Sequence, residues 1–69
     1  MTKQEIKKLE CFKSFNPIQK KMVLKHKNIE TINHELELIK NIGFDLWLSR
    51  FGGYYLNQII VEEIIHNSL

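Results

Sequence analysis

The most constraining feature of the sequence is a helical repeat of branched apolar residues in its middle part. Between Asn28 and Gly43, Ile or Leu recurs at intervals of three and four, which is the spacing of one helix face. Gly43 stands where a left-handed residue commonly ends a helix, and Phe44 could then pack back on Ile39 as in a Schellman motif. We predict a helix over residues 29–42, with Asn28 as its cap. Its apolar positions are Ile29, Ile32, Leu36, Ile39 and Ile42.

Two shorter helices are predicted before it. Thr2 and Glu5 have the spacing of a capping box, and the apolar stripe that follows predicts one helix, which the sequence "SFNP" ends. Asn16 and Pro17 then suit the N-cap and first position of a second helix, over residues 17–27, which could also fuse with the third. The apolar stripe of the first helix consists of Ile6, Leu9 and Phe12. The apolar side of the second consists of Ile18, Met22 and Val23.

The segment from residue 42 to residue 61 has two interpretations. Apolar and polar residues alternate before Gly52-Gly53, which could form the turn of a β-hairpin. Alternatively, Asp45 caps a short helix over residues 46–51, and a final helix covers residues 54–67. Because a lone hairpin would have unprotected edges, we predict an all-α bundle of four to five short helices. An α+β fold with this hairpin is the alternative.

Length and composition limit the class of protein. A chain of 69 residues makes one domain, 1–69, whose hydrophobic core is small. Cys11 is the only cysteine, so no disulfide can form within one chain. The N-terminal residues are charged, and the longest apolar run is three residues long. We therefore expect a cytoplasmic protein with no membrane segment.

The sequence lacks the residue patterns of common catalytic sites. No phosphate-binding loop is present, because "FGG" is not followed by the required Lys-Ser/Thr. Glu63 and His66 have the Glu-x-x-His spacing of carboxylate di-metal sites, but such sites need the motif on two helices. We interpret Glu63 and His66 as part of a solvated helix face. We interpret Cys11 as a buried, inert side chain. We predict no enzyme activity, no catalytic residue, no cofactor and no metal.

Charge is unevenly distributed along the chain. Residues 1–27 hold eight lysines and two glutamates, whereas residues 28–69 hold two basic and six acidic side chains. One hypothesis is therefore a small nucleic-acid-binding regulator, with a helix-turn-helix and lysines clustered on the second helix. Against it, the chain has a single arginine and an acidic third helix. The candidate lysines are Lys13, Lys20, Lys21, Lys25 and Lys27.

The aromatic cluster at residues 47–55 favours protein binding instead. Tryptophan, tyrosine and arginine dominate binding hot spots, although a short chain also needs its largest side chains in the core. We predict that Trp47 and Phe51 are buried. The preferred hypothesis is a small regulator that occupies a surface of another protein, or self-associates, as an inhibitor, adaptor or mobile-element-encoded modulator. Its predicted partner-binding residues are an exposed Leu24, Arg50, Tyr54 and Tyr55.

Overall fold

A computed structural model describes residues 1–50 and 55–68, and for residue 55 it describes the backbone only. These residues form α-helices and contain no strand, which confirms the all-α prediction. The hairpin over residues 42–61 is wrong, because residues on both sides of the Gly-Gly pair are helical; Gly52 and Gly53 themselves lie outside the described residues. The helices are α1 (Lys3–Lys7), α2 (Glu10–Ser14), α3 (Pro17–Val23), α4 (His26–Ile42), α5 (Phe44–Arg50) and α6 (Tyr55–Asn67).

The predicted first helix is divided into α1 and α2. Its capping box is confirmed: the Thr2 hydroxyl accepts from the Glu5 N–H at 3.3 Å, and the Glu5 carboxylate accepts from the Thr2 N–H at 3.0 Å. The helix is then interrupted at Leu9, whose backbone is extended with φ −71° and ψ 142°. The predicted stripe is nevertheless buried. The break adds a helix to the predicted four to five.

A carboxylate from α6 explains why α2 begins at Glu10. Leu9 offers no side chain to cap α2. Instead, the two Glu63 carboxylate oxygens accept the Glu10 N–H at 2.8 Å and the Cys11 N–H at 2.7 Å. Free N–H groups at a helix start need such acceptors, and a negative charge is favourable there. The prediction that Glu63 is simply solvated is therefore wrong.

The second predicted helix ends earlier than expected. Asn16 caps α3 and forms a reciprocal capping box with Gln19. The helix stops at Val23, and Lys25 is extended with φ −66° and ψ 142°. Because α4 starts at His26, the predictions that the second helix reaches residue 27, that it fuses with the third and that Asn28 caps the third are wrong.

The 17-residue helix α4 supports the rest of the fold, since α3, α5 and α6 all pack against it. Its positions Ile29, Ile32 and Ile39 are buried as predicted. Gly43 ends it with a φ of 91°, which favours glycine, but its ψ of 153° is extended rather than left-handed helical. The predicted Schellman motif is wrong, because Phe44 begins α5. Among the described residues, the buried core consists of Ile6, Leu9, Phe12, Val23, Ile29, Ile32, Ile39, Trp47, Ile60 and Val61.

Trp47 joins α5 to α4. Its side chain is 2% exposed, which confirms the predicted burial. The indole N–H donates to the Glu35 carboxylate on α4, so the one polar atom of the ring has a partner. The Phe44 ring packs beside the indole with centroids 5.8 Å apart. Asp45 lies inside α5 rather than at its N-cap, and Phe51 lies outside the described residues.

No helix in the described ranges has both the length and the apolar character needed to cross a membrane.

Candidate functional site

The exposed side of α3 carries two residues of the helix's predicted apolar side. Val23 is completely buried, whereas 72% of the Ile18 surface and 45% of the Met22 surface are exposed. Ile18 is the most exposed large apolar residue that the structure describes. The three residues, which are predicted to share one side of the helix, therefore differ in burial.

Packing against neighbouring helices sets this orientation. Val23 enters the core where α3 meets α4 and α6. The Lys20 side chain lies over Phe12 of α2, with its ammonium nitrogen 5.7 Å from the ring centroid. This position allows a cation–π attraction and lets the aliphatic stem cover the ring. Val23 therefore packs in the core and Lys20 packs over Phe12, whereas the opposite side of α3 faces solvent.

We define the α3 face as Ile18, Lys21 and Met22, together with Lys25 just after the helix. Side chains three or four positions apart in a helix are neighbours, so Ile18 lies next to both Met22 and Lys21. Lys25 follows Met22 by three residues, and its N–H is 3.3 Å from the Met22 carbonyl oxygen. Both lysines are exposed. The result is an apolar pair bordered by positive charge.

No carboxylate in the surrounding sequence offsets these lysines. Residues 11–29 contain no Asp or Glu. The nearest acids in the sequence are Glu10, whose carboxylate lies 3.4 Å from the Lys13 ammonium nitrogen, and Glu30, whose carboxylate lies 2.7 Å from Nε2 of His26. Lys21 and Lys25 therefore give this stretch of the chain a local excess of positive charge.

The lysines of the nucleic-acid hypothesis do not form one helical cluster. Lys13 is exposed on α2, and Lys20 is half-buried against Phe12. The break at residues 24–25 puts Lys20 on α3 and Lys27 on α4, so the helical register that relates them in the sequence is lost. Their predicted grouping on one helix is wrong, although Lys21, Lys25 and Lys27 are all exposed.

The predicted partner-binding residues are only partly described. Leu24 is half-buried and packs on the core, so its predicted exposure is wrong. Arg50 is exposed at the end of α5, as predicted. Tyr54 and the side chain of Tyr55 lie outside the described residues. Their roles as partner contacts stay predictions.

A smaller exposed apolar area lies on α5. Leu46 is 41% exposed and Leu48 is 38% exposed. Leu46 precedes Arg50 by one helical turn, so the two side chains lie on the same side. Both leucines are less exposed than Ile18, and Asp45 and Arg50 leave the charge of this helix balanced.

Cys11 has the properties of a structural thiol. Burial, followed by the hydrogen bond and negative charge of Glu63, raises the pKa of Cys11 to about 12. The thiol is therefore protonated at neutral pH and is a poor nucleophile. Both carboxylate oxygens of Glu63 accept hydrogen bonds from the start of α2 rather than from His66. Within residues 1–50 and 55–68, no group of three or more His, Cys, Asp or Glu side chains is arranged to hold a metal ion.

One feature of the sequence indicates that the apolar residues of α3 cannot all be buried together. At 100° per residue, Val23 lies about 140° around the helix from Ile18. When Val23 lies at the centre of the buried side of this two-turn helix, Ile18 lies outside that side. The choice between them depends on the neighbours of α3, which the sequence of α3 does not specify.

These features define a small all-α protein with a basic, partly apolar helix face. No protein family, curated protein or solved structure matches the chain.

Proposed function

We propose that the protein is a non-enzymatic regulator that covers a surface of another protein through the α3 face. The observation that carries this proposal is the exposure of Ile18, at 72%, beside Met22, at 45%. Transfer of a large apolar side chain from water to an interface contributes roughly 1.5–3 kcal/mol when the side chain was fully exposed. The largely exposed Ile18, with the half-exposed Met22 beside it, is therefore a favourable centre for an interface.

The rigid support of the α3 face also favours binding. Val23 is fixed in the core beneath α3, and the capping box of Asn16 and Gln19 holds its first turn. A partner therefore meets a helix that is already ordered, and less conformational entropy is lost on association. Inhibitor, adaptor and mobile-element-encoded modulator are the forms of regulation we propose for such a contact.

Site-specific photo-crosslinking tests this proposal in cells of the source organism. A photo-reactive amino acid replaces Ile18 in one variant and the exposed Glu37 of α4 in a control variant. We expect a defined protein to crosslink at position 18 and not at position 37. Equal crosslinking at both positions, or none at position 18, would contradict the proposal. A crosslink to a second copy of the chain would identify self-association as the interaction.

Nucleic-acid binding is the competing proposal, supported by the lysine-rich, carboxylate-free stretch over residues 11–29. Binding through phosphates weakens steeply with salt. We expect no complex with duplex DNA tighter than ~10 μM at physiological salt, which is weaker than specific complexes. A tighter, salt-sensitive complex that Lys21→Glu with Lys25→Glu abolishes, and Ile18→Ser with Met22→Ser does not, would favour the nucleic-acid proposal.

A further inference from the structure

We infer that the partner presents an acidic amphipathic helix to the α3 face, with aliphatic side chains over Ile18 and Met22 and carboxylates beside Lys21 and Lys25. This inference rests on the proposed function and specifies the chemistry of the partner.

The charge of the α3 face requires an acidic partner. Lys21 and Lys25 border the apolar pair, and both are exposed. A partner that buries Ile18 brings its own side chains close to these ammonium groups. Carboxylates there gain attraction and speed association, whereas basic side chains are repelled.

The shape of the α3 face fits a helix. With seven residues, α3 is about 10 Å long at 1.5 Å per residue. Its apolar side chains stand four positions apart and form a ridge of the kind that packs into the groove of a second helix. Two turns of a partner helix cover this ridge, and its flanking positions then lie near the lysines.

The same features disfavour other occupants. A second copy that used its own α3 face would place lysines against lysines, which is unfavourable. Duplex DNA offers phosphates to the lysines, but its backbone leaves Ile18 and Met22 without an apolar partner. An anionic membrane could satisfy both kinds of side chain. However, amphipathic helices that lie on membranes have a more extended apolar side than two residues on a two-turn helix.

Binding of defined probes tests the inference. The probe is a fluorescent amphipathic peptide of Leu and Glu, roughly fourteen residues or about 20 Å long as a helix. The matched peptide has Lys at every Glu position. Vesicles of phosphatidylcholine and phosphatidylserine at about three to one and a short duplex DNA are the remaining probes. Fluorescence anisotropy reports peptide and DNA binding, and co-sedimentation reports vesicle binding.

We expect the Glu peptide to bind and the Lys peptide not to bind. Charge reversal with Lys21→Glu and Lys25→Glu should weaken the Glu peptide by about tenfold or more, and Ile18→Ser with Met22→Ser should also weaken it. The matched control, Leu46→Ser with Leu48→Ser, changes exposed leucines on α5 and should bind as the unchanged chain does. Circular dichroism of each variant verifies that the helices are retained.

Other outcomes overturn the inference. It is wrong if the Glu peptide does not bind, if both peptides bind equally, or if the α5 control loses binding as the α3 variants do. If vesicles or DNA bind, lose binding on reversal of the two lysines, and the Glu peptide does not bind, then the membrane or the nucleic acid replaces the acidic helix as the proposed occupant of the α3 face. Failure of the inference alone is recognised when position 18 crosslinks to a protein in cells but the peptide does not bind. Failure of the proposed function is recognised when position 18 crosslinks to nothing.

Discussion

The apolar pattern of the sequence predicts the buried side of α4 correctly, whereas that of α3 does not. In α4, Ile29, Ile32 and Ile39 are buried on the side that the apolar repeat predicts. In α3, the residues predicted to share one side are divided, with Val23 buried and Ile18 exposed. A repeat over 17 residues includes several consistent positions, so one orientation buries far more apolar surface than any other. A helix of seven residues has too few positions for its own pattern to decide.

The largest expected effect is at Trp47, the buried side chain that joins α5 to α4. Trp47→Ala should lower the free energy of unfolding by ~3–5 kcal/mol, because a large buried aromatic leaves a cavity and the Glu35 carboxylate loses its donor. Domain stability is itself only about 5–15 kcal/mol. Urea denaturation followed by circular dichroism measures the change. The control is Leu48→Ala on the same helix, and an equally large loss there would show that α5 packs differently.

A matched pair of isoleucines tests the comparison directly. Ile32→Ala on α4 should cost ~2–5 kcal/mol, because its side chain is completely buried. Ile18→Ala on α3 should change stability by no more than about 0.5 kcal/mol, as is usual at exposed positions. Urea titrations of the two variants check both values. If Ile18→Ala were as costly as Ile32→Ala, Ile18 would belong to the core and the α3 face would not exist.

A second pair, within α3, sharpens the orientation of that helix. Val23→Ala should destabilise the fold by about 2 kcal/mol, since its lost methyl groups are worth about 0.8 kcal/mol each and a cavity remains. Met22→Ala, one position earlier, should have less than half that effect. Thermal unfolding of the two variants distinguishes them. The reverse order would mean that α3 is rotated toward its predicted side.

The cap from α6 to α2 is expected to have a smaller, pH-dependent effect. Burial raises the pKa of Glu63, but the Cys11 and Glu10 N–H groups, the Cys11 thiol and the Lys13 charge lower it more, so the net pKa lies below its usual value. A carboxylate with a lowered pKa in the folded state stabilises the fold above its unfolded pKa. That stability is lost as the pH falls through the folded pKa.

Glu63→Gln should therefore cost about 1 kcal/mol at neutral pH, within the range of lost helix caps. The difference from the unchanged chain should disappear in acid, where Glu63 itself is protonated. Urea titrations across a pH series measure this dependence. Glu62→Gln, on the adjacent residue, is the control and should leave the pH dependence largely unchanged. A cost at Glu63 that persists in acid would show that its charge is not what stabilises α2.

The smallest effect is on the reactivity of Cys11. With its pKa raised to about 12, the thiol should react slowly with a disulfide reagent at pH 8, and rapidly after unfolding in urea. Glu63→Gln removes the neighbouring negative charge and should increase the rate by roughly threefold to tenfold. Absorbance of the released thiol measures the rate. A fast reaction in the unchanged folded chain would contradict the structural role of Cys11.

Several features follow from local sequence alone. The capping box at Thr2, the N-cap at Asn16, the end of α4 at Ile42 and the helical character of residues 55–67 depend on neighbouring residues, so the sequence predicts them. The burial of Trp47 follows from its size, because a short chain needs its largest side chains in the core. The absence of an internal disulfide follows from a single cysteine.

Only the tertiary structure decided the start of α2 and the orientation of α3. The break at Leu9 depends on Glu63, which is more than fifty residues away and reaches the Glu10 and Cys11 N–H groups through the packing of α6. The exposure of Ile18 depends on whether Val23 or Ile18 fills the space between α4 and α6. Both depend on contacts with distant parts of the chain, whereas a local pattern records only the preferences of neighbouring residues.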